Sequence, residues 1–122
     1  MTLQTHKDLD VWKDSRKLVS LIYELTSKFP KEEVYSLTTQ IKRAAISIPS
    51  NIAEGAARDS NKEYIHFLFI SLGSVAELDT QLIIAKDLNF ISDKDFNGTS
   101  EKLDKIGKML SGLIKYLQSK RN

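Results

Sequence analysis

The chain has 122 residues, is 41% hydrophobic and 28% charged, and carries no cysteine, two prolines and five glycines. That length holds one domain around one core. The missing cysteines exclude a disulfide scaffold, a thiolate metal site and a thiol nucleophile, and suit a reducing cytoplasm. Net charge is +2, too small to imply nucleic acid by itself, but it is uneven: residues 1–93 sum to −2 and residues 94–122 to +4. The C-terminal quarter is the basic part, although basic residues also favour helix C-termini through the backbone dipole.

The N-terminus shows no apolar signal core. Phe67 to Ala76, the longest uncharged apolar run, is about half the ~20 residues a membrane span needs. The expected location is the cytoplasm, with no membrane contact.

Every periodic segment repeats near 3.6 residues, so the expected fold is all-α. Residues 1–7 read as a short arm, 8–119 as the domain and 120–122 as a basic tail. A first helix is expected from an N-cap at Asp8 to Phe29, where Pro30 stops it. Leu9, Trp12, Val19, Ile22 and Phe29 mark its stripe, widened by Leu18, Leu21 and Leu25. Ser36 can cap a second helix through Leu37, Ile41, Ala44, Ala45, Ile48 and Ile52 to about Arg58. Pro49 lies inside it, and because the apolar spacing resumes at Ile52 a kink is expected rather than a break.

Ser60-Asn61-Lys62-Glu63 is a capping-box pattern opening a third helix to about Leu88, with Asn89 placed for a left-handed stop. Ser92 caps the fourth, whose Leu103, Ile106, Leu110, Leu113 and Leu117 form a narrow seam. Gly107 and Gly112 there read as points of close helix approach. Four helices with short connections make an antiparallel up-down-up-down bundle with a kinked second helix.

The third helix is apolar in every direction, at Phe67-Leu68-Phe69-Ile70 and again at Leu82-Ile83-Ile84-Ala85. Such a helix needs burial on every side, so a homo-oligomer is expected; cover by Trp12 and Tyr23 of the same chain is the alternative. A polar stripe of Arg43, Ser47, Asn51, Glu54 and Arg58 faces a shorter one of Ser74, Glu77 and Gln81. The expected arrangement is a structural network in which Arg43 or Arg58 pairs with Glu77 or Glu54 across the helix contact.

Lys102, Lys105, Lys108, Lys115, Lys120 and Arg121, with Lys94, spread along and beyond the fourth helix away from its seam. Repeated by symmetry they form a positive ring able to hold phosphates, with Lys42, Arg58 and Lys62 as secondary contacts. Only Tyr116 lies among the lysines of that helix, so RNA contact there is expected to follow backbone and shape rather than bases. Glu63 and His66 have di-iron spacing, but a second copy and two further carboxylates are missing, and His6 is the only other histidine. No phosphate-cradling glycine loop and no serine at a strained turn beside a histidine occur. No catalytic residue, metal or cofactor is expected.

Gln40-Ile41-Lys42-Arg43-Ala44-Ala45-Ile46-Ser47-Ile48-Pro49-Ser50-Asn51-Ile52-Ala53-Glu54-Gly55 resembles the signature of a bacterial four-helix-bundle family. That family is named for proteins encoded in intervening sequences of 23S ribosomal RNA genes, and includes the accessory variability determinant of diversity-generating retroelements. Leu9-Asp10-Val11-Trp12, Phe29-Pro30, the run from Gly73 to Leu82 and Lys108-Met109-Leu110 match as well, so the resemblance covers about residues 8–118. It implies a ring-like homopentamer without known enzymatic activity. In the retroelement branch it implies a basic exterior engaging RNA and a reverse transcriptase. Two functional readings follow: a non-enzymatic oligomer binding structured RNA, and a scaffold docking a protein partner such as a reverse transcriptase without touching nucleic acid. A metal-dependent bundle enzyme comes last.

Overall fold

The computed structural model describes residues 5–120. Four α-helices carry the fold: α1 (Asp10–Thr26), α2 (Leu37–Ala56), α3 (Asn61–Asp87) and α4 (Asp93–Lys120). A 3₁₀ turn at His6–Asp8 precedes α1 and another at Lys31–Glu33 leads into α2. Each helix packs on the next and α1 also packs on α4, while the diagonal pairs do not meet. With short connections, that closed ring is the antiparallel up-down-up-down bundle.

Local chemistry sets the helix ends, and three of the caps and stops differ from the sequence expectation. Asp8 does not cap α1, because its carboxylate turns back to accept from the Thr5 backbone N–H at 3.2 Å, closing a capping box on the 3₁₀ turn. Leu9 occupies the cap position of α1 without a side-chain bond. That helix also ends at Thr26, whose hydroxyl donates to the Ile22 carbonyl at 2.9 Å, three residues short of Phe29. Ser36 does sit at the α2 cap position, but its hydroxyl donates to Glu33 at 2.8 Å instead of accepting from the helix.

The stops and starts around α3 follow the sequence more closely. Ser60 accepts from the Glu63 backbone N–H at 3.2 Å, and Ser92 from that of Asp95 at 3.1 Å. Asn89 takes φ of 63°, with Asn89 N–H on the Lys86 carbonyl and Phe90 N–H on that of Ala85, both at 2.9 Å. These are the two bonds of a Schellman stop. Helix α2 runs unbroken through Pro49.

The core is built from Leu18, Ile22, Ile41, Ile48, Ile52, Leu68, Leu78, Leu82, Leu103, Ile106 and Leu110, all essentially inaccessible. On α1 the buried line runs through Val11, Leu18, Ile22 and Leu25, leaving Leu9, Trp12, Val19 and Leu21 only partly covered. The expected stripe was therefore centred too far round the helix, towards Trp12. On α4 the seam ends through Ile114 and Leu117, with Leu113 at its margin.

Close approach comes from a different glycine than expected. A methyl group on Gly55 would lie 2.9 Å from the Phe67 Cβ and 3.0 Å from the Tyr64 ring, so the end of α2 fits onto the start of α3 only without a side chain there. The same group on Gly107 would meet Val75 at an ordinary 3.6 Å, and on Gly112 nothing within 4 Å.

Candidate functional site

Three outward surfaces concern function, and the first is the far side of α3. Its inner side (Leu68, Ser71, Ser74, Leu78, Gln81, Leu82, Ala85) is buried against α2 and α4. On the other side, Phe69 and Leu88 are about half exposed, at 51% and 52%, and Ile70, Ile83 and Ile84 are each near 40%. Trp12 and Tyr23 do not cover them: Trp12 packs beside His6, and Tyr23 lies under Lys42. Intrachain cover of α3 is thus corrected, because α1 stands diagonally across the bundle from it. By length and apolarity alone α3 is able to cross a membrane, yet its inner side forms the core of the bundle.

The polar stripes meet, but not through charges. Ser74 donates to Ser47 across the α2–α3 contact at 2.8 Å, and Asn51 donates to the Ser47 carbonyl and hydroxyl, each at 2.9 Å. Ser71 donates to the Ile48 carbonyl at 2.7 Å. Arg58, just past the end of α2, pairs with Glu54 in the last turn of the same helix at 2.8 Å, in solvent. The expected cross-helix ion pair is absent: Arg43 and Glu77 are exposed and form no ion pair among the described residues. Serines and Gly55 occupy the α2–α3 contact, and the charged ends of the stripes lie outside it. Gln81 is buried with Oε1 lacking a hydrogen-bond partner.

The lysines of α4 form a second surface, thinner in charge than the sequence suggests. Lys102, Lys105, Lys108, Lys115 and Lys120 are all exposed. However, Lys105 pairs with Asp14 of α1 at 3.5 Å, Lys108 pairs with Asp104 at 3.2 Å, and Lys120 lies over the Tyr116 ring at 5.2 Å. Arg121 falls outside the described residues. Lys42 stands on α2, which does not touch α4, and Arg58 in the bend just after it, with their charges over Tyr23 and Phe67. Lys62 is exposed in the first turn of α3. These cations do not make one patch in a single chain. The groove between α3 and α4, about 690 Å³, is lined by Asp79, Glu101 and Asp104 and is acidic.

A third surface escaped the sequence reading. Lys7, Lys13, Arg16 and Lys17 ring Trp12 and Ser20 around an open groove of about 590 Å³. The Arg16 guanidinium lies 5.5 Å over the indole, and the His6 ring meets it edge-on at 5.1 Å. Lys17 also borders a smaller groove of about 300 Å³ between α1 and α4, floored by Leu18, Leu21 and Ile106 and rimmed by Asp14, Lys102 and Lys105. The signal was present: Lys13, Arg16 and Lys17 recur at helical spacing beside Trp12. Asp8, Asp10 and Asp14 in the same stretch cancel most of their charge in any sum over sequence.

No cluster of metal-ligating side chains occurs among the described residues. Glu63 is engaged at the α3 cap, and His66 is exposed with its ring edge-on to Phe67 at 5.4 Å. Burial raises the Tyr64 phenol above its ordinary pKa, the one titratable group clearly shifted among the described residues.

A closed four-helix ring with an uncovered apolar face and two basic faces defines a small all-α bundle protein whose distinctive features all point outward. The chain belongs to the 23S rRNA-intervening sequence protein family, whose model matches residues 7–112. Among solved structures it is similar to a protein of unknown function from the S23 ribosomal protein family of Bacteroides thetaiotaomicron. That match has a TM-score of 0.80 at 24% identity, covering 86% of this chain and 95% of the other, and it carries the fold alone. No curated protein matches the chain.

Proposed function

We propose that this protein is a non-enzymatic, cytoplasmic assembly module: a homo-oligomer, five-fold by family resemblance, that binds structured RNA through basic residues repeated around its ring. The observation that carries this reading is the outer side of α3. Phe69, Ile70, Ile83, Ile84 and Leu88 leave an apolar strip along one helix, of the kind that in soluble proteins marks an interface. A second copy of this chain is the occupant favoured, because no element among the described residues is left to cover the strip. Assembly multiplies the positive charge of α4, where Lys102 and Lys115 make no ion pair among the described residues.

The test is a titration of the purified protein against a labelled RNA hairpin at about 50 and 200 mM salt. Six to ten phosphate contacts weaken binding by about a thousandfold or more over that range. Lys108→Glu/Lys115→Glu should abolish binding, and Ile84→Asp, which breaks the ring, should weaken it by removing the repeated sites. No micromolar affinity at low salt would leave the lysines as a solvated face and favour the second reading, a scaffold docking a protein such as a reverse transcriptase. The engagement of Lys105 and Lys108 by Asp14 and Asp104 is the observation on that side.

A further inference from the structure

We infer that the groove around Trp12 on α1 is a binding site for unpaired nucleic acid, with a base stacked at Trp12–Arg16 and the flanking phosphates on Lys7, Lys13 and Lys17. This rests on the reading of the protein as an RNA binder and assigns it a different contact surface and a different form of RNA. The two basic surfaces differ in chemistry. The lysines of α4 have only Tyr116 among them, already under Lys120, and two of them face acidic partners. Around the start of α1, three cations of the helix and Lys7 of the preceding 3₁₀ turn surround the only tryptophan of the chain, and none of the four makes an ion pair among the described residues.

The geometry fits a single strand. Lys13 and Lys17 stand one helical turn apart, so their ammonium groups can follow a backbone laid along α1. Arg16, between them, sits over the indole. An aromatic ring with a guanidinium on its face offers two π-surfaces to a base, and stacking of this type tolerates any base. His6 meets the indole edge-on from the 3₁₀ turn. Trp12 is only partly buried, packed on the core cluster along one side. That half-open position is what a stacking platform requires. No acid lines the groove: Asp14 is held by Lys105, the Asp8 carboxylate is turned back on Thr5, and Asp10 is exposed at the start of α1. A duplex cannot use the indole, because its bases are already stacked.

The experiment uses the full-length protein and three decamers at equal charge: oligouridylate, an abasic ribose-phosphate strand and a short RNA duplex. Trp12 is the only tryptophan, so its emission reports the contact directly. Oligouridylate should quench that emission and bind at least about fivefold more tightly than the abasic strand, the minimum expected of one stacked base. Lys13→Glu/Arg16→Glu/Lys17→Glu, three exposed positions, should keep its helicity and lose binding of oligouridylate. Trp12→Phe, which retains a ring, should bind it more tightly than the charge-reversed variant does.

Several outcomes overturn the inference. Equal affinity for the abasic strand with no quenching would leave only phosphate attraction, and a tighter duplex would point to shape. Quenching by polyglutamate at matched charge would make the groove a site for acidic protein. If the α1 variant binds both oligouridylate and the hairpin normally while Lys108→Glu/Lys115→Glu does not bind the hairpin, α4 is the RNA face: the RNA reading stands and this inference fails. If the wild type binds no RNA at all, both fail.

Discussion

The two sides of α3 are nearly equal in apolar content, yet the chain treats them differently. The inner side places Leu68, Leu78, Leu82 and Ala85 at zero or 1% exposure and threads Ser71 and Ser74 between them, each bonded to α2. The outer side carries Phe69, Ile70, Ile83, Ile84 and Leu88 in solvent. The inner side therefore shows what folding one chain uses, and the outer side what the proposed contact with a second copy would cover. Composition does not separate the two roles; neighbours do.

Substitutions can break that comparison, beginning with the largest effect. Ile84→Asp should leave folding nearly intact and convert the proposed oligomer to single chains, seen as a change in mass at unchanged helicity. A variant that instead unfolds would place Ile84 within the fold of the single chain. Leu78→Ala, on the inner side, should cost about 2–5 kcal/mol in chemical denaturation at fixed protein concentration, because it empties a site with no exposure. Gly55→Val should also destabilise the fold, by about 1–3 kcal/mol or more, since its side chain collides with Phe67 and Tyr64.

Smaller effects sharpen the account of the helix ends and the phenol. Ser60→Ala should cost about 1 kcal/mol, the loss of one cap bond at the start of α3. Burial raises the Tyr64 pKa, so both states stay protonated below the ordinary value of about 10. Above it the unfolded chain loses its proton first, and stability falls as the pH rises. Tyr64→Phe should flatten that alkaline decline; an unchanged slope would assign it to other groups.

The four helices, the Ser60 and Ser92 caps and the Asn89 stop were legible because each rests on residues within a turn of one another. Sequence also showed that α3 is apolar all round, since that is a property of one helix. The fate of each side was not legible, because it depends on which helices stand opposite. The Arg43–Glu77 pairing failed for the same reason: Ser47, Ser74 and Gly55 fill the contact between α2 and α3, and Arg43 and Glu77 are exposed outside it. The groove around Trp12 was hidden by arithmetic, since acids adjacent in sequence project to other parts of α1. Asp14, for one, reaches Lys105 on α4.

The mass of the wild-type protein by light scattering at micromolar concentration, with Ile84→Asp beside it, tests the central claim most directly. Burial of the outer side of α3 predicts a multiple of 13.8 kDa for the wild type and a single-chain mass for the variant. A wild-type protein with the mass of one chain would contradict it, and the apolar strip would then stand uncovered.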